Sequence, residues 1–367
     1  MKKLLVGALL AGTLVITGCS AQNAQKENES AVTASEAVST EVSVETSEHA
    51  SDEATGETSE QAEIQKPEAF DVDITNNSLA VSPDEKIAVV SYSKIPGIKV
   101  YDLAEKKLVT EIEEFVTPRH IAFSKDGKHF YASDSSYGSI REFDSATLEV
   151  TNTFELEQGV FGFAITNDGK RIFANNQFNS TVTVINLESG TVEKVIEGFS
   201  RPRQGIVIDS KDTYAYVTNF EGNDVRVVNT ETLEIEKTLT GIPDVRAISV
   251  DKEGKYLYGA SSSEDTINVV DISTGELVKS IKVGEEPYGS ALSPDGKTIL
   301  TGEKVSNQVS VINVDTLEVE RSITGLNEPR QAIKYSQTEG QAYVLNADLS
   351  ITIIDYVNGE IVDNIAE

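Results

Sequence analysis

Apolar and polar residues alternate with a period of two in short runs along most of the chain, from about residue 70 to its end. Near residue 300, four such runs cover residues 290–293, 298–301, 309–312 and 319–323, and turn-forming residues separate them. A period of two is typical of β-strands, whose successive side chains point to opposite faces. No apolar pattern with the helical period follows the first twenty residues. The pattern therefore predicts an all-β domain.

The four-run unit returns seven times. The turn Ser-Pro-Asp-Gly-Lys that begins at Ser293 has counterparts at steps of 42 or 43 residues, which begin at Ser82, Ser124, Thr166, Asp209, Asp251 and Ser336. An Asp or Asn closes the third run of every unit in a second register, at Asp102, Asp144, Asn186, Asn229, Asp271, Asn313 and Asp355. Four short strands in every unit of this length are typical of propeller blades. We predict a seven-bladed β-propeller of four-stranded antiparallel blades over residues 70–367.

Two details of this propeller depend on short segments. The Asp or Asn after each third strand is expected to be structural, since its side chain can accept backbone N–H bonds in the following turn. The strand that closes the ring has two candidates, residues 70–75 and residues 360–365. The pattern alone leaves both open.

The repeats carry recognisable motifs. The fourth unit contains Tyr-Val-Thr-Asn at residues 216–219, with the variants Phe-Ala-Asn-Asn at 173–176 and Tyr-Ala-Ser-Asp at 131–134. With the Ser-Pro-Asp-Gly-Lys turn and the segment Val-Ile-Asn-Val-Asp-Thr-Leu-Glu at 311–318, the chain resembles the YVTN-type β-propeller repeat family. That family includes bacterial surface-layer and exported binding proteins. The resemblance implies the fold and an exported location, but propellers host many unrelated activities.

The N-terminus has the features of an export signal. Two lysines precede an apolar run at residues 4–16, which is too short to span a bilayer and ends in Ile-Thr-Gly-Cys at 16–19. This ending resembles a lipobox, and Cys19 is the only cysteine of the chain. We predict a lipoprotein signal peptide at residues 1–18 and a lipid anchor on Cys19, at the extracytoplasmic face of the cell membrane. An ordinary secretory signal that happens to contain a cysteine is the alternative.

Composition changes abruptly after Cys19. Residues 19–69 are rich in Ser, Thr, Ala and Glu and contain no aromatic residue. Such a segment cannot bury enough apolar area to offset its conformational entropy, so it is predicted to be a disordered acidic linker. The whole chain has a formal net charge of −29, which argues against nucleic acid and anionic lipid as electrostatic partners.

Arginines recur at one position of this acidic chain. The residue five or six places before each turn enters the innermost strand of its blade, and its occupants are Asn77, Arg119, Phe161, Arg203, Arg246, Tyr288 and Arg330. The next position adds His120, Gln204 and Gln331. A closed ring would gather these side chains at one channel mouth, where the planar fork of arginine suits a carboxylate or phosphate. We predict that Arg119, His120, Phe161, Arg203, Gln204, Arg246, Tyr288, Arg330 and Gln331 form an anion-binding site.

A structural role for the same arginines is the alternative. Carboxylates that would neutralise them and brace the blades are Asp134, Glu221, Asp265 and Glu303. The loops between second and third strands share the predicted mouth and are rich in aromatic, amide and charged residues, namely Tyr92, Lys94, Ser135, Tyr137, Asn176, Phe178, Asn219, Phe220, Glu303 and Lys304. Residues of these types on exposed loops suit recognition of a sugar, a peptide or a protein.

The sequence favours recognition over catalysis. Only His120 and His129 lie in the predicted propeller, so no His or Cys cluster for a metal is expected, and no cofactor or catalytic residue is assigned. The expected partner at the mouth is an anionic small molecule, an envelope polymer or an exported protein. One alternative is an exported hydrolase or lactonase that uses Arg119, His120 and Glu303 as anion clamp, base and acid. Another is a purely architectural surface protein with an inert channel.

Overall fold

Seven four-stranded sheets make up the part of the protein that the structure, a computed structural model, describes, which is residues 66–366. Every sheet is antiparallel, and its strands follow one another in chain order. The predicted signal peptide, Cys19 and most of the predicted linker lie outside the described residues. Within residues 66–366, one short 3-10 helix occurs at Phe220–Gly222, and no helix is long and apolar enough to cross a membrane.

Each sheet is one blade, numbered here in chain order. Blades 1 and 2 consist of β1 (Asn77–Val81), β2 (Ile87–Tyr92), β3 (Ile95–Asp102) and β4 (Lys107–Ile112), then β5 (Pro118–Phe123), β6 (His129–Asp134), β7 (Ser139–Asp144) and β8 (Val150–Glu155). Blades 3 and 4 consist of β9 (Val160–Ile165), β10 (Arg171–Asn176), β11 (Thr181–Asn186) and β12 (Thr191–Ile196), then β13 (Pro202–Ile208), β14 (Tyr214–Asn219), β15 (Asp224–Asn229) and β16 (Glu234–Leu239). Blades 5 and 6 consist of β17 (Val245–Val250), β18 (Tyr256–Ser261), β19 (Thr266–Asp271) and β20 (Leu277–Lys282), then β21 (Ala291–Leu292), β22 (Thr298–Glu303), β23 (Gln308–Asn313) and β24 (Glu318–Thr324). Blade 7 consists of β25 (Ile333–Tyr335), β26 (Gln341–Leu345), β27 (Ile351–Asp355) and β28 (Glu360–Ile365). The predicted fold class is confirmed.

Side-chain hydrogen bonds shape the two turns that the repeats share. In the turn between first and second strands, Ser293 Oγ accepts from the backbone N–H groups of Lys297 and Thr298 and donates to Asp295. After the third strands, all seven predicted Asp and Asn side chains accept backbone N–H bonds from the following turn, as Asn313 does from Asp315 and Thr316. Their structural role is confirmed.

The hydrophobic core is divided among the interfaces between blades. Seven clusters of buried apolar residues occur in the described part of the chain, and each draws its members from two neighbouring blades. One of them joins Leu79 and Tyr101 of blade 1 to Leu345 and Ile353 of blade 7. Because four-stranded sheets twist and bury both faces, this seventh interface closes the ring.

The ring closes by packing and not by a shared sheet. Glu360–Ile365 forms the outer strand of blade 7, whereas residues 70–75 join no sheet. Between blades 7 and 1, Tyr101 Oη donates to the carbonyl of Leu349 at 3.3 Å, and Ser336 Oγ donates to Glu85 at 2.9 Å. The first strands of neighbouring blades contact one another along most of the ring, so the starts of these innermost strands meet at one end of the channel.

Candidate functional site

A cavity lies at this end of the channel, and most of the predicted site residues border it. It is bordered by six of them, Phe161, Arg203, Gln204, Arg246, Tyr288 and Gln331, together with Ile74, Thr75, Asn76, Phe220 and Val245. The empty volume of the cavity, counted with its opening, is about 360 Å³. Only about 30 Å³ of this is open to the centre of a water molecule. The cavity is polar, aromatic and narrow.

Two arginines share one aromatic ring in the cavity wall. The Cζ atoms of Arg203 and Arg246 lie 3.7 and 4.5 Å from the centre of the Phe220 ring, and Arg246 also lies 4.9 Å from the Tyr288 ring. A cation over an aromatic face is attracted by the quadrupole of the ring. Arginines held in this way keep their N–H edges available for an in-plane acceptor.

These two arginines have few polar partners. Arg246 Nε donates to Ser262 Oγ at 2.9 Å, whereas Arg203 Nε is buried without a hydrogen bond. Neither arginine forms an ion pair with any carboxylate in residues 66–366. Burial first, and then the charges of Arg246 and Arg201, lower the pKa of Arg203 to about 10, so it stays protonated at neutral pH. The cavity wall therefore carries two guanidinium groups without an ion pair in residues 66–366, although the charge of Glu221 also acts on Arg203.

Arg119 has its hydrogen-bonding capacity filled by the protein. Its side chain is fully buried, and Nε donates to Ser135 Oγ. Nη1 donates to the carbonyl of Ile74 and the side chain of Asn76, and Nη2 to the carbonyls of Phe70 and Asp71 at 3.2 and 3.1 Å. Arg119 therefore faces the segment before β1 and does not border the cavity.

Arg330 is placed in a similar way. Its Nη1 donates to the carbonyl and hydroxyl oxygens of Thr75 at 3.1 and 3.0 Å, and its Nη2 lies 3.7 Å from Glu328. The structure thus separates the four predicted arginines into two pairs. Arg203 and Arg246 face the cavity, and Arg119 and Arg330 hold residues 70–75.

Amide side chains form the floor of the cavity. Gln331 Nε2 donates to Gln204 Oε1 and to the carbonyl of Asn77, both at 2.7 Å. Gln204 Nε2 donates to the same carbonyl at 3.2 Å and lies 3.4 Å from His120 Nδ1. This network joins blades 1, 2, 4 and 7 across the channel.

His120 does not border the cavity, although its ring lies beside Gln204. Its ring packs edge-on against Phe163 at 4.9 Å between centres. Burial, and to a smaller extent the charge of Lys334, lowers the pKa of His120 to about 3. The imidazole is neutral and a weak base at neutral pH, which makes it a poor general base for a hydrolase.

Glu303, the acid of the hydrolase alternative, also lies away from the cavity lining. It is fully buried at the end of β22. Burial raises its pKa to about 7, although the nearby Ser310 and Gln308 lower it. Neither carboxylate oxygen makes a hydrogen bond of normal geometry. The site therefore assembles a positive wall without an adjacent acid and base.

Glu303 predicts a specific pH dependence of stability. Its pKa is raised on folding, so the folded state loses stability relative to the unfolded state as the pH rises from about 4.5 through 7. A shift of this size corresponds to roughly 3 kcal/mol above pH 8. We expect Glu303→Gln to raise the free energy of unfolding relative to the wild type, and this gain to be about 2–3 kcal/mol larger at pH 8.5 than at pH 5. Urea unfolding of both proteins at both pH values measures it. Parallel pH profiles of the two proteins would refute this assignment.

The sequence did not place five cavity residues in the site, namely Ile74, Thr75, Asn76, Phe220 and Val245. Ile74 and Thr75 belong to a segment that the alternating pattern made a candidate strand. Phe220 was noted among the loop aromatics but not assigned to the site. In the structure it begins the short 3-10 helix Phe220–Gly222. Its position directly after the Tyr-Val-Thr-Asn motif was the available signal.

Family models match two overlapping parts of the chain. The model described as "Lactonase, 7-bladed beta-propeller" matches residues 44–238, just over half of the 367 residues. The model described as "Cytochrome D1 heme domain" matches residues 208–362, less than half of the chain. The first description agrees with the observed ring of seven blades.

Relatives among curated proteins are distant. Two proteins from different strains of Staphylococcus epidermidis, both described only as uncharacterized, are 25% identical to the chain over 158 residues. The match covers 38% of this chain and 46% of each relative. The chain thus spans about half the length of the curated relatives that it matches.

The residues present do not fit the haem that the second family model implies. Haem iron is held by an axial His, Cys, Met or Tyr. Residues 208–362 contain no His, Cys or Met, and the one tyrosine that borders the cavity, Tyr288, has its ring against Arg246 and Arg330. The one histidine near the cavity, His120, does not border it. In the described part of the chain, no three His, Cys, Asp or Glu side chains are grouped so that they could hold a metal. We derive no chemistry through a haem.

Proposed function

The chain belongs to the family of seven-bladed β-propeller lactonases, and from that premise we propose that its channel mouth binds a small anionic ligand. The observation that carries the proposal is the pair Arg203 and Arg246, two guanidinium groups on one phenylalanine ring with no carboxylate paired to either in residues 66–366. In a chain with a net charge of −29, a carboxylate within reach would be the expected neighbour of each. An incoming carboxylate or phosphate supplies the missing acceptors.

The ligand is recognised by charge and by shape. Phe161, Phe220 and Tyr288 give the cavity apolar walls, and the amides of Gln204 and Gln331 give it a polar floor. Cavities that bind small molecules combine apolar walls with a few placed polar groups in this way. The propeller is accordingly a recognition domain for an organic acid or an acidic group on an exported polymer. Its assignment to the YVTN-type repeats remains a proposal that rests on the motifs.

A double substitution tests the site. Acidic metabolites at a hundred times their dissociation constant add about 2.7 kcal/mol to the free energy of unfolding, and thermal-shift assays detect such a change. We expect Arg203→Ala with Arg246→Ala to abolish the shift that a panel of di- and tricarboxylates produces. Arg321→Ala is the matched control, since Arg321 is partly exposed on the outer strand β24 beside Glu320 and lies outside the cavity lining. An unaltered shift in the double variant would defeat the site assignment.

Lactone hydrolysis is the second candidate, and the family match favours it. Hydrolysis adds water across the lactone ester bond and yields a hydroxy acid, whose new carboxylate Arg203 and Arg246 would hold. His120 is a weak base at neutral pH, and Glu303 does not border the cavity. Both observations argue against the acid–base pair that the sequence suggested. Acid release from a panel of lactones, lost in the double arginine variant, would favour this candidate over simple recognition.

We place this domain outside the cytoplasmic membrane, tethered by lipid on Cys19. The proposal rests on the Ile-Thr-Gly-Cys sequence and on the absence of any other cysteine in the chain. Two or three acyl chains give stable membrane attachment, whereas the unmodified protein has none. We expect Cys19→Ser to move the protein from the membrane fraction to the soluble fraction of expressing bacteria. Equal partition of both proteins would contradict the anchor.

A further inference from the structure

The segment before β1, residues 70–75, lies over the channel mouth without joining a sheet. At one end, the Phe70 ring packs edge-on against Phe178 of blade 3 at 5.3 Å between centres, and the Phe70 N–H donates to Ser136 Oγ of blade 2 at 2.9 Å. At the other end, Thr75 accepts hydrogen bonds from Arg330 of blade 7. The segment therefore spans the mouth from one side of the ring to the other.

Backbone oxygens of this segment occupy arginine donors. The carbonyls of Phe70, Asp71 and Ile74 accept from Arg119, and the carbonyl of Thr75 accepts from Arg330. These backbone acceptors are neutral, and the only carboxylate within ion-pair distance of either guanidinium in residues 66–366 is Glu328, 3.7 Å from Arg330. The charges of Asp71 and Asp134 also act on Arg119 and favour its protonated form. A carboxylate or phosphate offers the same N–H groups a charge-assisted bond, which is about twice as strong as a neutral one.

The segment also narrows the cavity. Ile74 and Thr75 form part of its lining, opposite Arg203 and Arg246. With these two residues in place, only about 30 Å³ is open to the centre of a water-sized sphere. The segment therefore occupies space beside the two arginines that a ligand with several carboxylates would need.

At its Phe70 end the segment is held by hydrogen bonds with Arg119, Ser136 and Gln177 but by little apolar packing. Asp71 has a φ of 53°, in the left-handed region that is unfavourable for a residue with a side chain. Val72 is 59% exposed and the Phe178 ring is 61% exposed, so the ring contact excludes little water. Segments with few buried contacts open at low free-energy cost.

We propose that residues 70–75 form an autoinhibitory lid, whose backbone oxygens hold Arg119 and Arg330 in place of the ligand and whose displacement presents all four arginines to a polyanion. The inference rests on the proposed function, since it concerns access to the Arg203–Arg246 pair. With the lid closed, that pair accepts one carboxylate. With the lid open, four guanidinium groups accept a ligand with two or more. The ligand class is therefore a dicarboxylate, a tricarboxylate or an equivalent polyphosphate.

Calorimetric titration of the full chain with citrate tests the lid. If the closed lid dominates, the apparent dissociation constant is the intrinsic one divided by the open fraction. An aromatic pair such as Phe70–Phe178 stabilises the closed lid, and its loss should raise the open fraction roughly 3- to 10-fold. We expect Phe70→Ala and Phe178→Ala each to bind citrate about that much more tightly. The double variant should bind no more tightly than either single one, because both changes remove the same contact.

Val109→Ala is the control variant, since Val109 is exposed on the outer strand β4 of blade 1, and it should bind citrate as the wild type does. If citrate binds and the double arginine variant abolishes binding, but Phe70→Ala and Phe178→Ala bind with wild-type affinity, the lid is refuted and the proposed function stands. If citrate binds to none of these proteins, the lid and the proposed function both fail.

Hydrogen exchange of the backbone amides in residues 70–75 gives a second readout. Saturating citrate should speed their exchange, because the open state is the bound state, whereas acetate should leave it unchanged. Slower exchange with citrate would mean that the segment closes over the ligand, and it would overturn the proposed competition.

Discussion

Phe130→Ala should lower the free energy of unfolding by about 3–5 kcal/mol, the usual cost of truncating a buried aromatic side chain. Phe130 lies on β6 and is fully buried in the cluster between blades 1 and 2. Its ring stacks on Phe143 at 4.7 Å between centres with an interplanar angle of 1°, and it also contacts Phe123 at 5.7 Å. The alanine variant loses both ring contacts and leaves a cavity that the surrounding sheets cannot fill.

Urea unfolding followed by circular dichroism measures this effect, with Val109→Ala as the control. Val109 is 51% exposed, and its truncation should change stability by no more than about 0.5 kcal/mol. A loss of less than about 1 kcal/mol for Phe130→Ala would show that the interfaces between blades do not form the core that holds the ring.

Arg119→Met should cost about 3 kcal/mol, although the methionine keeps most of the apolar stem. Hydrogen bonds to a charged group contribute about 1.5–3 kcal/mol, and the loss of one partner leaves buried acceptors unsatisfied. Arg119 donates to Ser135, Asn76 and three backbone carbonyls of residues 70–74. Only some of these acceptors can turn to water when the guanidinium is gone.

The comparison for Arg119→Met is Arg321→Met, which removes a partly exposed arginine 3.8 Å from Glu320. An exposed ion pair contributes at most about 1 kcal/mol, so this variant should unfold close to the wild type. Equal stabilities of the two methionine variants would show that the hydrogen bonds of Arg119 do not stabilise the propeller.

The architecture was predictable because the two repeated turns have local causes. Ser293 and Asn313 each bond to backbone groups within five residues, so their spacing along the chain directly records the spacing of strands. Seven units with such spacing can bury both faces of every sheet only if they close into a ring. The position of the arginines at the start of the innermost strands follows from the same register.

The separation of the arginines into two pairs was not predictable, since it depends on contacts far apart in the chain. Whether an arginine faces the cavity or a carbonyl is decided by where residues 70–75 lie, and these residues carry the same alternation as a strand. Phe220 is a similar case, because its role appears only when Arg203 and Arg246 from two blades meet on its ring. Contacts of this kind have no periodic signal in the sequence.

A crystal structure of the protein soaked in citrate tests the central claim most directly, namely that Arg203 and Arg246 form an anion site at the channel mouth. The account predicts a carboxylate within hydrogen-bond distance of both guanidinium edges, beside the Phe220 ring. Citrate bound elsewhere, with Arg203 and Arg246 paired instead to carboxylates of the protein, would contradict it.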